Sequence, residues 1–253
     1  MSGDRPLEDR VVIITGASAG LGEQFARALA WAGAKSVLAA RRSDRLETLA
    51  SKLDGDCLAV ECDVVDGDAR DRLVATTLKR FGRIDGLVNN AGAADIKPAL
   101  KQSPEEFERI VGVNLVAPFA LARAVAAVMR DSGGGSIVNI ASVAGLIPVG
   151  WQPHASYVAS KAGLVGLTRE LASQWGRYAI RVNAIAPGPF TTEMAGETYE
   201  QGWAADRMRQ AIPLGRIGRP GEMDALLVLL LSADSGYITG QTIAVDGGLS
   251  AAL

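Results

Sequence analysis

The sequence predicts an α/β protein. The expected architecture is a Rossmann-like doubly wound parallel sheet of about seven strands, with helices on both faces, in a single domain over 1–253. Three observations predict it. Short β-branched runs alternate with longer amphipathic stretches along the chain. A glycine-rich turn, GASAGLG (16–22), follows the first short run directly. No Pro/Gly/Ser-rich linker, low-complexity block or internal repeat divides the chain.

Each element follows from local chemistry. VVIIT (11–15) is short and β-branched, the pattern of a strand buried on both faces. In the next stretch Phe25, Leu29 and Ala32 fall on one helical face. KSVLAA (35–40) is a second strand, followed by a helix from about Ser43 with Asp44 as its expected N-cap. LAVECDV (58–64) is a third strand, followed by a helix through Leu73 and Leu78. GLVNNAG (86–92) supplies a fourth strand. Ser-Pro-Glu-Glu from Ser103 is a start signal for a long helix. SIVNIAS (136–142), a helix over Tyr157–Gly176 and IRVNAIAP (180–187) come next. A helix near Glu222–Leu231 and a strand near QTIAVDGG (241–248) complete the alternation. Crossovers of this kind are right-handed, and ligands bind beyond the carboxyl ends of the strands.

Composition removes several function classes. At 48% apolar the 253 residues are ordinary globular material. The 26 basic and 28 acidic side chains leave a net charge of −2, too balanced for nucleic-acid or membrane binding by bulk charge. Two cysteines, Cys57 and Cys62, and one histidine, His154, exclude a disulfide framework and argue against a protein-only zinc site. The cysteines flank an expected strand and read as small core residues. The segment MSGDRPLEDR lacks the pattern of a signal peptide, and the longest strongly apolar run is Leu226–Leu231. The expected setting is the cytoplasm, without a membrane anchor, nucleic-acid partner or metal.

The glycine turn is the first candidate site. Gly16 permits the tight turn, Gly20 lets backbone approach a pyrophosphate, and Gly22 lets helix and strand pack closely. The helix N-terminus then offers N–H groups to phosphates. The same residues hide a rival. Gly16-Ala17-Ser18-Ala19-Gly20 matches the hydrolase nucleophile pattern G-x-S-x-G, with His154 downstream. The elbow position after the first strand, and the lack of any task for Tyr157 and Lys161, weigh against it. A ribose-binding acid is expected at the end of strand two. Ala40 stands there, followed by Arg41 and Arg42. No carboxylate repels a 2′-phosphate, and Arg41 can grip one, so NADP(H) is preferred and NAD(H) is possible.

Tyr157 and Lys161 stand at i and i+4 of an expected helix and so share a face. A lone phenol, with a pKa near ~10, handles protons poorly at neutral pH. A nearby ammonium favours the phenolate. Ser142, at the end of the fifth strand, can hold a substrate oxygen beside Tyr157.

Together these residues resemble the short-chain dehydrogenase/reductase family in its compact single-domain branch. TGASAGLG (15–22), NNAG (89–92), Asn114, Ser142, YVASK (157–161) and PGPFTTEM (187–194) occur in the family's order. The resemblance runs from about Glu8 to Leu249. It implies NAD(P)-dependent interconversion of an alcohol and a carbonyl. It makes Tyr157 the general acid/base, with Lys161 lowering its pKa and binding the nicotinamide ribose. Ser142 orients the substrate oxygen, and Asn114 holds a water linking Lys161 to solvent. By the same resemblance the cofactor lies along Gly16, Ser18, Gly20, Leu21 and Gly22. Asp63 and Val64 meet the adenine. Asn90, Ala91 and Gly92 line the cofactor, and Pro187, Gly188 and Thr192 support the nicotinamide. The cofactor carries the hydride, while the protein orients it and manages protons.

Two departures accompany the resemblance. Ser142 and Tyr157 are 15 positions apart, more than in many members, and the extra length falls in LIPVGWQPHAS (146–156). Position 19, where NADP users often carry a basic residue, is Ala19. His154 and Trp151 lie in this rim, as loop residues or as substrate contacts. A substrate lid is expected at about 190–215, with Met194, Tyr199, Trp203 and Met208; a fixed interface element is the alternative. The family implies a homo-oligomer, commonly a tetramer. Leu115, Phe119, Leu164 and Leu171 fit either an interface or the core. The expected substrate is a small secondary alcohol or ketone. A 3-oxoacyl thioester, a sugar or polyol, and a non-catalytic dinucleotide sensor on the same fold are the alternatives.

Overall fold

Five consecutive apolar or β-branched residues leave no polar face to turn toward water, and β1 (Val11–Thr15) is buried along its whole length. Its side chains alternate between two cores. Val12 and Ile14 join one cluster, with Phe25, Leu29, Leu227 and Leu230. Val11 and Ile13 join the other, with Leu73, Leu121, Val125 and Leu171. The computed structural model that shows this describes residues 5–148, 153–191 and 209–252.

The remaining elements follow in chain order. α1 (Gly20–Trp31), β2 (Lys35–Ala40), α2 (Ser43–Ala50), β3 (Cys57–Glu61), α3 (Gly67–Phe81) and β4 (Gly86–Asn89) form the first half. α4 (Pro104–Val111), α5 (Ala117–Asp131), β5 (Gly135–Ile140), α6 (Ala155–Trp175), β6 (Ile180–Pro187), α7 (Asp224–Leu231) and β7 (Thr242–Val245) follow. The strands pair in the order β3-β2-β1-β4-β5-β6-β7, and every pair is parallel. Strand order reverses between β1 and β4, which opens a crevice at their carboxyl ends. The expected doubly wound architecture is the observed one.

Several boundaries move, each for a local reason. β3 ends at Glu61 rather than 64, because Asp63 turns back to accept from Val65 N at 3.2 Å and Asp66 caps α3 by accepting from Asp68 N. β5 ends at Ile140, two residues before Ser142, which instead caps a short 3₁₀ turn over Val143–Gly145. Asp44 lies in the first turn of α2 rather than at its cap, which is Arg42. Ser103 behaves as its sequence predicts. It accepts from Glu106 N while the Glu106 carboxylate accepts from Ser103 N, with Pro104 in the first turn.

The long helix runs over Pro104–Asp131 and is interrupted by a π-helical turn at Gly112–Val116. It is long and apolar enough by composition to cross a membrane. Within the fold, however, Leu121, Val125 and Met129 pack into the sheet core. Of the four residues left open between core and interface, Leu164 and Leu171 are buried, Leu115 packs toward Gly163, and Phe119 stays 41% exposed.

Candidate active site

The crevice is a cavity of about 950 Å³ that reaches from the α1 N-terminus to the start of α6. Its first wall is the glycine turn. Gly16 has a φ of +68°, a left-handed conformation that L side chains rarely adopt. A Cβ on Gly22 would collide with the Gly16 carbonyl oxygen and lie 2.6 Å from Asn90 Nδ2. Glycine is therefore required where helix and turn touch. Gly20, Leu21 and Ser18 line the same wall. Thr15 at the end of β1 and Asn90 just after β4 lock it in place. Asn90 Nδ2 donates to Thr15 O at 2.9 Å, and Thr15 Oγ1 accepts from Asn90 N and Ala91 N at 3.0 Å.

Beyond the turn the wall is cationic. Arg41 and Arg42 are both exposed at the cavity edge. Arg42 Nε donates to Ser18 Oγ at 3.2 Å, which ties the guanidinium to the glycine turn. Ser18 therefore meets an arginine, and no described hydrogen bond joins it to His154 as a hydrolase elbow would require. Asp63 and Val64 form the adjacent edge, beside buried Cys62. Burial pushes the Cys62 thiol up to about 11, the behaviour of an inert core thiol. Among the described lining residues, Arg41, Arg42, Arg109 and Lys161 face one carboxylate, Asp63. That excess of positive charge fits a polyphosphate ligand. A dinucleotide fits a lining of this charge, with a glycine turn and a helix N-terminus open to phosphates.

The opposite end is built from side chains. Lys161 is 4% exposed, and its ammonium donates to Ile140 O at 2.7 Å. Desolvation lowers its pKa from the ordinary lysine value to about 8. Its Nζ stands 5.7 Å from the Tyr157 ring centroid. Tyr157 is in the first turn of α6, half-buried and on the cavity wall. Ser142 lines the same cavity, with its Oγ accepting from Ala144 N at 3.2 Å. Gly92 closes the floor. A Cβ there would lie 3.3 Å from Asn114 Oδ1 and 3.7 Å from Lys161 Nζ. Ala91, Pro187, Gly188 and His154 also line the cavity at this end. Thr192 lies outside the described residues, as do Trp151 and the 192–208 part of the expected lid.

Asn114 does not line the cavity. It is fully buried in the π-helical turn, where its side chain accepts from Ala93 N and donates to Ala93 O, both at 2.8 Å. A further donation reaches Ser160 Oγ at 3.0 Å. Both amide hydrogens are thereby committed, leaving one Oδ1 lone pair or a backbone carbonyl to meet a water. A π turn at this point is a common mark of a functional segment.

Sequence reasoning missed a buried polar chain behind the site. Asn89 donates to Asn139, and Asn139 donates to Thr168, each at 2.9 Å. This links β4, β5 and α6. Asparagines inside otherwise apolar strands were the signal that could have found it, since a buried amide needs partners. Arg109 on α4 was also missed; its place on the wall follows only from the tertiary fold.

Comparison with known proteins agrees across the chain. A family profile described as Enoyl-(Acyl carrier protein) reductase matches residues 16–250. A levodione reductase of Leifsonia aquatica is 40% identical, over 96% of this chain and 95% of that protein. A D-threitol dehydrogenase of Mycolicibacterium smegmatis is 36% identical, over 97% and 94% respectively. The crystal structure of a gluconate 5-dehydrogenase from Burkholderia cenocepacia, in complex with NADP and tartrate, superposes with a TM-score of 0.93. That match is 34% identical and covers 99% of each chain.

Proposed function

The chain belongs to the short-chain dehydrogenase/reductase family of NAD(P)-dependent oxidoreductases, and on that premise we propose that it interconverts a secondary alcohol and a ketone with NADP(H) preferred. One observation carries this reading: a desolvated ammonium, Lys161, lies beside the Tyr157 ring in the cavity that begins at the glycine turn. When bound, the nicotinamide supplies or accepts the hydride.

The protein's own part is proton management and orientation. In oxidation, Tyr157 as phenolate takes the proton of the substrate hydroxyl; in reduction it returns that proton. The Lys161 ammonium stabilises the phenolate at short range. Its low exposure makes that interaction stronger than it would be in water. Ser142 donates to the reacting oxygen and fixes its direction. Asn114 is a positioning residue that holds Ala93 and Ser160 and so keeps the cavity floor beside Lys161. Arg41, and Arg42 braced by Ser18, grip the 2′-phosphate, because Ala40 offers no competing carboxylate. Gly16, Gly20, Leu21 and Gly22 approach the pyrophosphate. Asp63 and Val64 flank the adenine. Asn90, Ala91, Gly92, Pro187 and Gly188 line the rest of the cofactor.

A homotetramer in the cytoplasm is the setting this reading carries. Phe107, Val116 and Phe119 leave apolar area exposed along the long helix, which a second copy would cover. A polyol or diketone substrate is the favoured refinement, because relatives of this chain are named for threitol and levodione. The test is a panel of secondary alcohols and ketones followed by nicotinamide absorbance with both cofactors. Turnover with NADP(H) ahead of NAD(H) is expected. Cofactor binding without turnover of any panel member would favour the dinucleotide sensor.

A further inference from the structure

His154 is the single histidine of the chain, and no step described so far uses it. Its backbone is pinned. It caps the N-terminus of α6, pairs with Lys97 in an isolated parallel bridge, and follows Pro153, whose carbonyl accepts from Lys97 N at 2.8 Å. Its ring lies three residues before the proposed acid/base, with centroids 5.7 Å apart and planes tilted by 50°. It lines the same cavity as Tyr157 and Ser142.

The two ring nitrogens are not equivalent. Nδ1 is buried and has no hydrogen-bond partner among the described residues. No described hydrogen bond or ion pair engages the rest of the ring. A charged imidazolium needs acceptors for two N–H groups, and one of them would be sealed in without any. Burial accordingly lowers the His154 pKa, and no carboxylate opposes it. The ring is therefore neutral at physiological pH. Its Nε2 edge is the one left to meet a ligand. Small-molecule sites fix orientation with a few polar edges placed on the wall of a cavity.

We infer that His154 is a substrate-recognition residue, whose Nε2 edge holds a second oxygen of the substrate while Tyr157 engages the reacting one. This rests on the alcohol/ketone reading above and narrows it. The substrates are compounds with a second hydroxyl or carbonyl close to the reacting carbon, as in vicinal diols and hydroxyketones. The ring spacing favours oxygens on neighbouring carbons over those at opposite ends of a long molecule. A site with a polar group aimed at a substrate oxygen also discriminates against analogues that lack it, because the group is then left unpaired.

The test compares cyclohexanol with cyclohexane-1,2-diol in wild type, His154→Ala and His154→Gln, with NADP⁺ and NAD⁺, and separates kcat from KM. Wild type should prefer the diol in kcat/KM. His154→Ala should reduce that preference by about tenfold or more, chiefly through KM, as expected for one lost hydrogen bond to a buried partner. His154→Gln should restore most of it, since an amide can present a donor and an acceptor from the same position. An unchanged preference in His154→Ala overturns the inference, as does a wild type that favours cyclohexanol. Oxidation of neither alcohol with either cofactor overturns the inference alone where the panel above shows turnover, and the functional reading with it where the panel shows none.

Discussion

At the glycine turn the cavity wall is backbone; at the β5–α6 end it is side chain. The first wall depends on what is absent. Gly22 has no Cβ to strike the Gly16 carbonyl, and Ala40 has no carboxylate to repel a phosphate. The second wall depends on what is buried. Lys161 keeps an ammonium on a single backbone carbonyl in a residue that is 4% exposed, and Asn114 commits both amide hydrogens to Ala93 and Ser160. Backbone walls cost little stability and recognise a shared feature of many ligands. Side-chain walls of this kind are costly, because buried polar groups lose hydration that only specific partners restore. A fold keeps that cost where chemistry needs it.

The contrast is broken most strongly at Lys161. Lys161→Met should lower turnover by about 10³-fold, since the phenol then loses its charge partner. The same change should stabilise the folded protein. A lysine held at about 8 rather than 10.5 costs about 3 kcal/mol at neutral pH. An unpaired Ile140 carbonyl returns about 1 kcal/mol of that. The expected net gain is about 2 kcal/mol, read by denaturant unfolding. The sign with pH follows from the lowered value. Wild type is penalised below pH 8 and recovers as pH rises toward 10.5, where the unfolded lysine also loses its proton. The variant's advantage should therefore fade across that window. A variant that is both inactive and less stable would contradict the idea that burial of this charge is a cost borne for function.

At the opposite wall, Arg41→Ala and Arg42→Ala should each weaken NADPH binding by about ten- to hundredfold, the loss of one charge-assisted contact. NADH binding should change little. Nicotinamide fluorescence titration measures both. Equal losses for the two cofactors would remove the phosphate-grip proposal. Because Arg42 is braced by Ser18, Ser18→Ala should reproduce a smaller part of the Arg42 effect.

The smallest effect concerns the polar chain that joins the two walls from behind. Asn139→Ala leaves the Asn89 amide and the Thr168 hydroxyl each short of one partner. A cost of about 1–3 kcal/mol in unfolding free energy is expected, with cofactor preference unchanged. A shift in the NADPH/NADH ratio instead would show that the two walls are coupled through the sheet.

The two walls also differ in how far they can be read from sequence. The backbone wall is legible, because an ordinary strand-to-helix turn seldom needs glycine at three spaced positions. Arg41 and Arg42 follow from counting to the end of β2. Tyr157 and Lys161 are found by helical spacing, and their order among the other motifs points to the family. The polar chain is not legible, since nothing local tells Asn89 that Asn139 and Thr168 are its neighbours. The π turn is equally hidden, for one extra residue in a helix leaves no compositional trace. Strand ends are misplaced where Asp63 and Ser142 close their own turns, because side-chain bonds to nearby backbone compete with the ladder. Leu164 and Leu171 illustrate the remaining ambiguity. Apolar residues on a helix face read the same whether the sheet or another subunit covers them.

The central claim is that Tyr157 exchanges the proton while the cofactor exchanges the hydride. It is tested most directly with Tyr157→Phe, by measuring turnover and NADPH affinity on the same preparation. The account predicts a loss of turnover of about 10²–10⁴-fold, with cofactor affinity held within a few-fold of wild type. Turnover that survives loss of the hydroxyl would contradict it, since the proton would then travel by some other group.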